Sequence, residues 1–263
     1  MNRSESRKGI RSSLMGNVRF VVLVACSVVV IAIVAATPAA LRADASAAGE
    51  TPGASSATAE NWYAQTRVVT DFGVVTTHYW SKGALFRAET MLAGHPVITI
   101  VNGPRYYVFD SVLARGAAIE RNAASIREDS GRGRPFGREL EEIIAAGGEK
   151  IRDESLREAG AHYEIYQLTN ANGRRRVLVT TSEPPLPFRV ETFVRKSGAE
   201  GTLEYSGWQR GIEIEDSFFV PPTSIRFENV TYDEYTLRVG KEPIGPAPVY
   251  YRDLLHGVRG KAK

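Results

Sequence analysis

The residue types that most often do chemistry occur in this chain, but they are not grouped for it. The four histidines, His78, His95, His162 and His256, are far apart, and none has a neighbour at ligand spacing. A metal site needs several donors brought together, commonly two of them a few residues apart, so neither a metal nor a cofactor is expected. Glu213, Glu215 and Asp216 cluster, and paired carboxylates can do acid–base work. Next to a turn, such a cluster reads as a solvated edge. There is no Gly-x-Ser-x-Gly elbow to present a nucleophilic serine, and no Gly-x-x-x-x-Gly-Lys loop to cradle phosphate. The Gly- and Arg-rich stretch at 131–138 reads as a solvated loop. Asn229-Val230-Thr231 spells a glycosylation acceptor, which matters only in a eukaryotic secretory path. No catalytic residue is assigned, and an enzyme is not expected.

The N-terminal segment has a layout of its own. Arg3, Arg7, Lys8, Arg11 and Arg19 precede an apolar run from Phe20 to Ala36, and small residues follow, with Ala43-Asp44-Ala45 in the position of a cleavage signal. Basic, apolar, then small is the order of a secretory signal. The run is at the short edge of what spans a bilayer, so residues 1–45 read as a signal peptide or a membrane anchor. Leu23-Val24-Ala25-Cys26 has the spelling of a lipid-attachment box, but apolar residues continue past the cysteine where such a protein turns polar. Cys26 is the only cysteine. The exported part therefore has no disulfide, thiol nucleophile or Cys-based metal site. The formal net charge of +3 is less than the leader's own basic excess, so the remainder is near neutral and nucleic acid is not an expected partner.

Residues 46–60, rich in Ala, Ser, Thr and Gly, read as a flexible tether. From Trp62 onward, short β-branched and aromatic runs recur between Gly, Pro, Asn and Asp. They lie at 62–71, 74–81, 84–91, 96–102 and 105–110, then at 150–157, 162–169, 174–181, 187–196, 202–209 and 224–238. Strands this short and regular, without helices between them, predict an antiparallel sheet or barrel. Asn102-Gly103 and Asn172-Gly173 fall between runs and predict hairpin turns. Between the two batches, 127–138 reads as a mobile loop. One short amphipathic helix follows it, with Phe136, Leu140, Ile143 and Ile144 on one face, Glu139, Glu141 and Glu142 turned away, and Gly147-Gly148 at its end. A second helix fits 248–258.

Several runs are apolar on both faces, such as Val97-Ile98-Thr99-Ile100-Val101 and Tyr106-Tyr107-Val108-Phe109. A sheet with one wet face would alternate, so both faces must be covered. A strongly curved sheet whose inner face holds side chains, a helix or an apolar ligand is one solution; an ordinary two-layer core is another. Other runs alternate. Phe188, Val190, Thr192 and Val194 fall opposite Arg189, Glu191 and Arg195, and Leu203, Tyr205 and Gly207 fall opposite Glu204, Ser206 and Trp208.

Three stretches, in order, resemble the periplasmic lipoprotein-carrier superfamily, the LolA/LolB-like proteins of outer-membrane lipoprotein sorting. They are Tyr79-Trp80-Ser81-Lys82-Gly83-Ala84-Leu85-Phe86-Arg87-Ala88-Glu89, then Ile98-Thr99-Ile100-Val101-Asn102-Gly103 with Arg105-Tyr106-Tyr107-Val108-Phe109-Asp110, and finally the span from Pro185-Leu186-Pro187-Phe188 to Phe218-Phe219-Val220-Pro221-Pro222. The match covers about residues 60–225. It implies a mainly β (α+β) fold, a curved antiparallel sheet forming an incomplete barrel covered by one or two short helices. The domain would occupy 61–240, and 241–263 would be a C-terminal tail. Where carriers of the best-known type place an Arg that locks the lid, this sequence has Lys82 and Gly83.

The resemblance implies a periplasmic carrier that sequesters an acyl chain in an apolar groove. The partners would be a lipid or acylated protein, with inner- and outer-membrane components. Groove candidates are Phe86, Ile98, Ile100, Tyr107, Val179, Val190 and Tyr205; lid candidates are Phe136, Leu140, Ile143 and Ile144. The alternative is a membrane-tethered envelope sensor or scaffold that binds proteins with the same fold, using the tail as its contact.

Overall fold

The computed structural model describes residues 60–70, 73–92, 94–130, 133–158, 161–239 and 254–255. The leader with Cys26 and the Ala45 site, the tether to residue 59, and most of the tail lie outside the described residues. Among the described residues no helix is long and apolar enough to cross a membrane.

Among the described residues, twelve strands form one open sheet. The first meander is β1 (Asn61–Thr70), β2 (Gly73–Lys82), β3 (Leu85–Leu92), β4 (His95–Asn102), β5 (Arg105–Asp110) and β6 (Arg115–Glu120). Two helices follow, α1 (Ala123–Ser130) and α2 (Glu139–Ala145). The second meander is β7 (Glu149–Glu158), β8 (Ala161–Asn170), β9 (Gly173–Thr180), β10 (Pro187–Val194) and β11 (Ala199–Arg210). A 3-10 turn (Asp216–Phe219), β12 (Arg226–Val230) and α3 (Tyr232–Val239) complete it. The spatial order is β12-β6-β5-β4-β3-β2-β1-β11-β10-β9-β8-β7. Each meander pairs with itself strand by strand, and the two meet where β1 pairs antiparallel with β11. Among the described strands, only β12 is parallel to its neighbour, β6. This is the curved antiparallel sheet with short covering helices that the sequence predicts.

The period-2 alternation is strict in β2 and β3 and sets two faces. Trp62, Ala64, Tyr79, Phe86, Ala88, Val97, Val101, Tyr106, Val108, Ala117, Ile119 and Tyr205 form the inner core with Phe136, Val230, Tyr235, Leu254 and Leu255. The inner face of the second meander, Val177, Val179 and Val190, takes Leu140 and Ile143 of α2. Each fully buried side chain of this size contributes roughly 1.5–3 kcal/mol.

Three features differ from the sequence expectation. Residues 115–120 form a strand although Gly116, Ala117 and Ala118 have low β propensity. A Cβ at Gly116 would lie 2.3 Å from the Val108 carbonyl oxygen, so the strand needs its glycine. The stretch 127–138 is not all loop, since α1 runs to Ser130. The run 224–238 divides into β12 and α3 at Thr231, whose hydroxyl caps the helix: Glu234 N–H donates to Thr231 Oγ1 at 3.2 Å and Thr231 N–H to Glu234 Oε2 at 2.9 Å.

Two bulges then move aromatic side chains across the sheet. On β11, Gln209 pairs with Tyr63 and Ser206 with Gln65, so β11 carries one extra residue there. Gly207 takes it up at φ +64°. Trp208 thereby joins Tyr205 on the inner face, with ring centroids 5.2 Å apart, instead of facing away. On β10, Pro187 pairs with Val179 and Arg189 with Leu178. Phe188 is the extra residue and leaves the Val190 face to stack on Tyr163 at 4.1 Å.

Candidate functional site

The site built by these strands is the inner face and the segment that closes it. Residues 134–145 cross the sheet between the meanders and are fixed at four points. Phe136 enters the core and stacks on Tyr79 at 5.4 Å and Trp208 at 5.8 Å, with Phe86 at 6.2 Å. The Arg134 guanidinium lies over Trp208 at 4.7 Å and Trp62 at 5.0 Å, and donates to the carbonyls of Phe136 and Gly137. Such cation–π contacts contribute about 0.5–2 kcal/mol. Gly137 is required beneath them: its φ is +65°, and a Cβ there would come within 2.4 Å of Trp208 Cη2. Finally, Arg175 pairs with Glu142 at 3.1 Å and Tyr205 Oη donates to Glu139 Oε1 at 2.7 Å.

Glu139 therefore points inward, not away from the sheet as its place in the sequence suggests. Phe136 precedes the helix and lies at the centre of the aromatic cluster. Leu140 and Ile143 are buried, and Ile144 is 51% exposed. α2 stops because Gly147 and Gly148 turn their N–H groups back onto the carbonyls of Ile144 and Ile143.

Burial raises the Glu139 carboxyl above the ordinary value, and the Tyr205 hydrogen bond offsets this only in part. Burial, reinforced by the Glu139 charge, pushes Tyr205 well up. Glu139 Oε2 and Ser81 Oγ are buried without a hydrogen-bond partner among the described residues.

The inner face is graded. At one end lie Trp62, Phe86, Val101, Tyr106 and Ile119. Toward the other end a cross-strand row of hydroxyls, Thr66, Thr77 and Thr90, is buried, with Asp110 two strands further along. Thr77 and Thr90 share a 2.8 Å hydrogen bond, and Thr66 Oγ1 donates to Tyr79 Oη at 3.2 Å. Burial would raise Asp110, but the Leu113 N–H, His95 and the Val112 N–H together hold it below the usual carboxylate value.

A second closure uses residues 254–255. Leu254 and Leu255 are buried in the inner core. Buried Arg121 donates to the Leu254 carbonyl and pairs with Asp129 in the interior, and donates also to the Gly103 carbonyl nearer the surface. The Leu255 carbonyl accepts from Asn122 N–H at 2.8 Å and Ser125 Oγ at 3.0 Å.

The groove candidates divide between the two faces. Phe86 and Tyr205 meet Phe136 in the inner core, and Val179 and Val190 lie under α2. Ile98, Ile100 and Tyr107 are on the outer face, packed with Phe109, Ile225 and Phe227. Residues not anticipated are Trp62, Tyr79, Tyr106, Arg134, Glu139 and Trp208. The signal for Trp208 was a glycine inside an otherwise regular strand. Of the acidic cluster, Glu213, Glu215 and Asp216 are exposed, and Lys82 pairs with Asp216 at 2.7 Å.

No family model matches the chain, and no curated protein matches it. Among solved structures it is similar to an uncharacterized conserved protein from Thermus thermophilus, with 9% identity, a TM-score of 0.47, and 65% of this chain and 91% of that one covered. It is similar to a chain of the Pseudomonas aeruginosa MucA/MucB complex, with 12% identity, a TM-score of 0.41 and coverage of 66% and 59%. An outer membrane lipoprotein-sorting domain from Vibrio parahaemolyticus aligns over 62% of this chain and 90% of its own, with 10% identity and a TM-score of 0.29.

Proposed function

We propose that this chain is an exported, periplasmic binding protein of the lipoprotein-sorting type, which sequesters an acyl chain on the inner face of its sheet. The observation that carries this reading is the nature of the cover. Where the two meanders meet, the aromatic and aliphatic face is covered by one segment, 134–145, held by Phe136, one guanidinium and two carboxylates, while Leu254 and Leu255 pack into the same core separately. Lifting that segment exposes a continuous apolar surface. Each methylene buried there contributes about 0.8 kcal/mol, so a lipid tail can replace Phe136 without charged contacts. The hydroxyl row suits the ester or amide end of such a ligand.

The test is uptake of a fluorescent fatty-acid probe by the purified protein, with mass spectrometry of an organic extract. Saturable uptake that rises in Phe136→Ala supports the reading. A clean extract with no uptake by either protein refutes it.

A second reading, a membrane-tethered sensor or scaffold, is favoured by one observation. The inner core already takes a short piece of polypeptide, the Leu254 and Leu255 side chains, whose backbone carbonyls are held by Arg121, Asn122 and Ser125. N-terminal sequencing of the exported form separates the two: cleavage near Ala45 gives a diffusing carrier, and an intact N-terminus gives a tethered module.

A further inference from the structure

The hairpins of both meanders put their tips at one end of the sheet. The connections β1–β2, β3–β4, β5–β6, β8–β9 and β10–β11 all turn there, as the strand registers require. That rim is where the exposed apolar side chains gather. Val69 (64%), Val74 (53%), Met91 (58%), Val112 (64%), Leu113 (40%) and Val194 (36%) all stand on it. Single exposed apolar residues are ordinary, but these recur on four neighbouring hairpins. The tight turns at the other end, Lys82-Gly83-Ala84 and Asn102-Gly103-Pro104, carry no large apolar side chain. Among the described residues, the other large exposed apolar side chains, Ile126, Ile144, Val220 and Leu237, sit singly on helices or beside the 3-10 turn.

Charge follows the same axis. Arg115 and Arg226 begin β6 and β12 at the rim, Arg174 is the second residue of β9, and Arg195 and Lys196 occupy the β10–β11 turn; all five are exposed. Against them, among the described residues of these hairpin tips, stands exposed Glu200, while the Asp110 carboxylate is buried and engaged by His95 and the turn N–H groups. The exposed acids Glu213, Glu215 and Asp216 lie at the far end, where Lys82 Nζ reaches the Ile214 carbonyl and Asp216.

We propose that this hairpin rim is a docking surface for an anionic lipid bilayer, with the valine, methionine and leucine tips entering the interface and the flanking cations meeting headgroup phosphates. An apolar band flanked by basic residues is the chemistry of interfacial membrane binding, and each cation near an anionic surface strengthens it about fivefold. The acidic far end is repelled by the same surface, which fixes orientation. The hydroxyl row of the inner face lies nearer the rim than Phe86 does, so a ligand's polar end would face the bilayer. The docking surface itself stands whether or not the groove takes an acyl chain.

The leader could attach the full chain to any vesicle, so attachment is not the readout. In the full chain with Cys26→Ser, a polarity-sensitive fluorophore is placed on Val74→Cys, Met91→Cys or Val112→Cys, and on Ala84→Cys as the far-end control. Vesicles of equal phosphatidylglycerol and phosphatidylcholine are compared with phosphatidylcholine alone. The expected result is a blue shift at the three rim positions with the anionic vesicles, absent at position 84 and lost in high salt. Replacing Arg195 and Lys196 by Ser should weaken rim docking about twenty-five-fold, read as a smaller blue shift at the rim positions with the anionic vesicles. Rim labels that respond to neither vesicle, that respond equally to both, or that shift no more than the label at 84 would overturn the proposal. Acyl-probe uptake measured on the same variants reports the groove separately.

Discussion

Glu139 and Tyr205 make the contact in the cover that most depends on solution conditions. A hydrogen bond to a charged acceptor contributes about 1.5–3 kcal/mol, so Tyr205→Phe should destabilise the protein by that order in denaturant titrations at neutral pH. The pH dependence has a definite sign. Burial raises the folded-state value of Glu139 above that of the unfolded chain, so the folded protein holds this proton more tightly. Stability is therefore gained as pH falls through the raised value toward the ordinary carboxylate value, and lost as pH rises through the same window. Glu139→Gln should flatten that slope in thermal melts across the mildly acidic range; an unchanged slope would assign it to another carboxylate. None of this was legible in the sequence, where Glu139 reads with Glu141 and Glu142 as part of a wet helical face. It is inward because α2 begins beside Tyr205, a neighbour set by tertiary packing and not by helical period.

At the level of elements, the covering segment and α3 make separate predictions. Gly137 meets Trp208 so closely, and at so positive a φ, that Gly137→Val cannot keep the segment seated. Hydrogen exchange should quicken through 134–145 while β3 and β4 remain protected, and acyl-probe uptake should rise. Thr231→Ala removes the α3 cap and should cost about 1 kcal/mol, read as a lower denaturation midpoint. Most strands were legible because β-branched and aromatic runs between turn residues carry their own period. β2 to β5 match within a residue or two at each end. β6 was not, because its Gly and Ala residues are chosen for close approach to β5 rather than for strand propensity. The bulges at Gly207 and Phe188 were also hidden. A period-2 reading carries straight through an inserted residue and so assigned Trp208 and Phe188 to the wrong faces.

On the scale of the whole molecule, the sheet is two meanders in which nearly every strand pairs with its sequence neighbour. The long-range joins are β1 with β11 and β12 with β6. Local pairing closes small loops and is kinetically cheap, while distant pairing must first meet the entropy of a large loop. Each meander is thus expected to zip on its own, with the seam forming late. The seam should also hold without covalent continuity, because its ladder from Trp62–Arg210 to Val68–Leu203 is sealed on the inner face by Trp208, Tyr205 and Phe136. A chain broken between α1 and α2 should therefore reassemble from two co-expressed pieces that co-purify. Loss of that association on replacing Thr66 and Tyr205 with charged residues would locate the join at the seam. The protein would then serve as a split reporter, its two halves signalling whenever something brings them together.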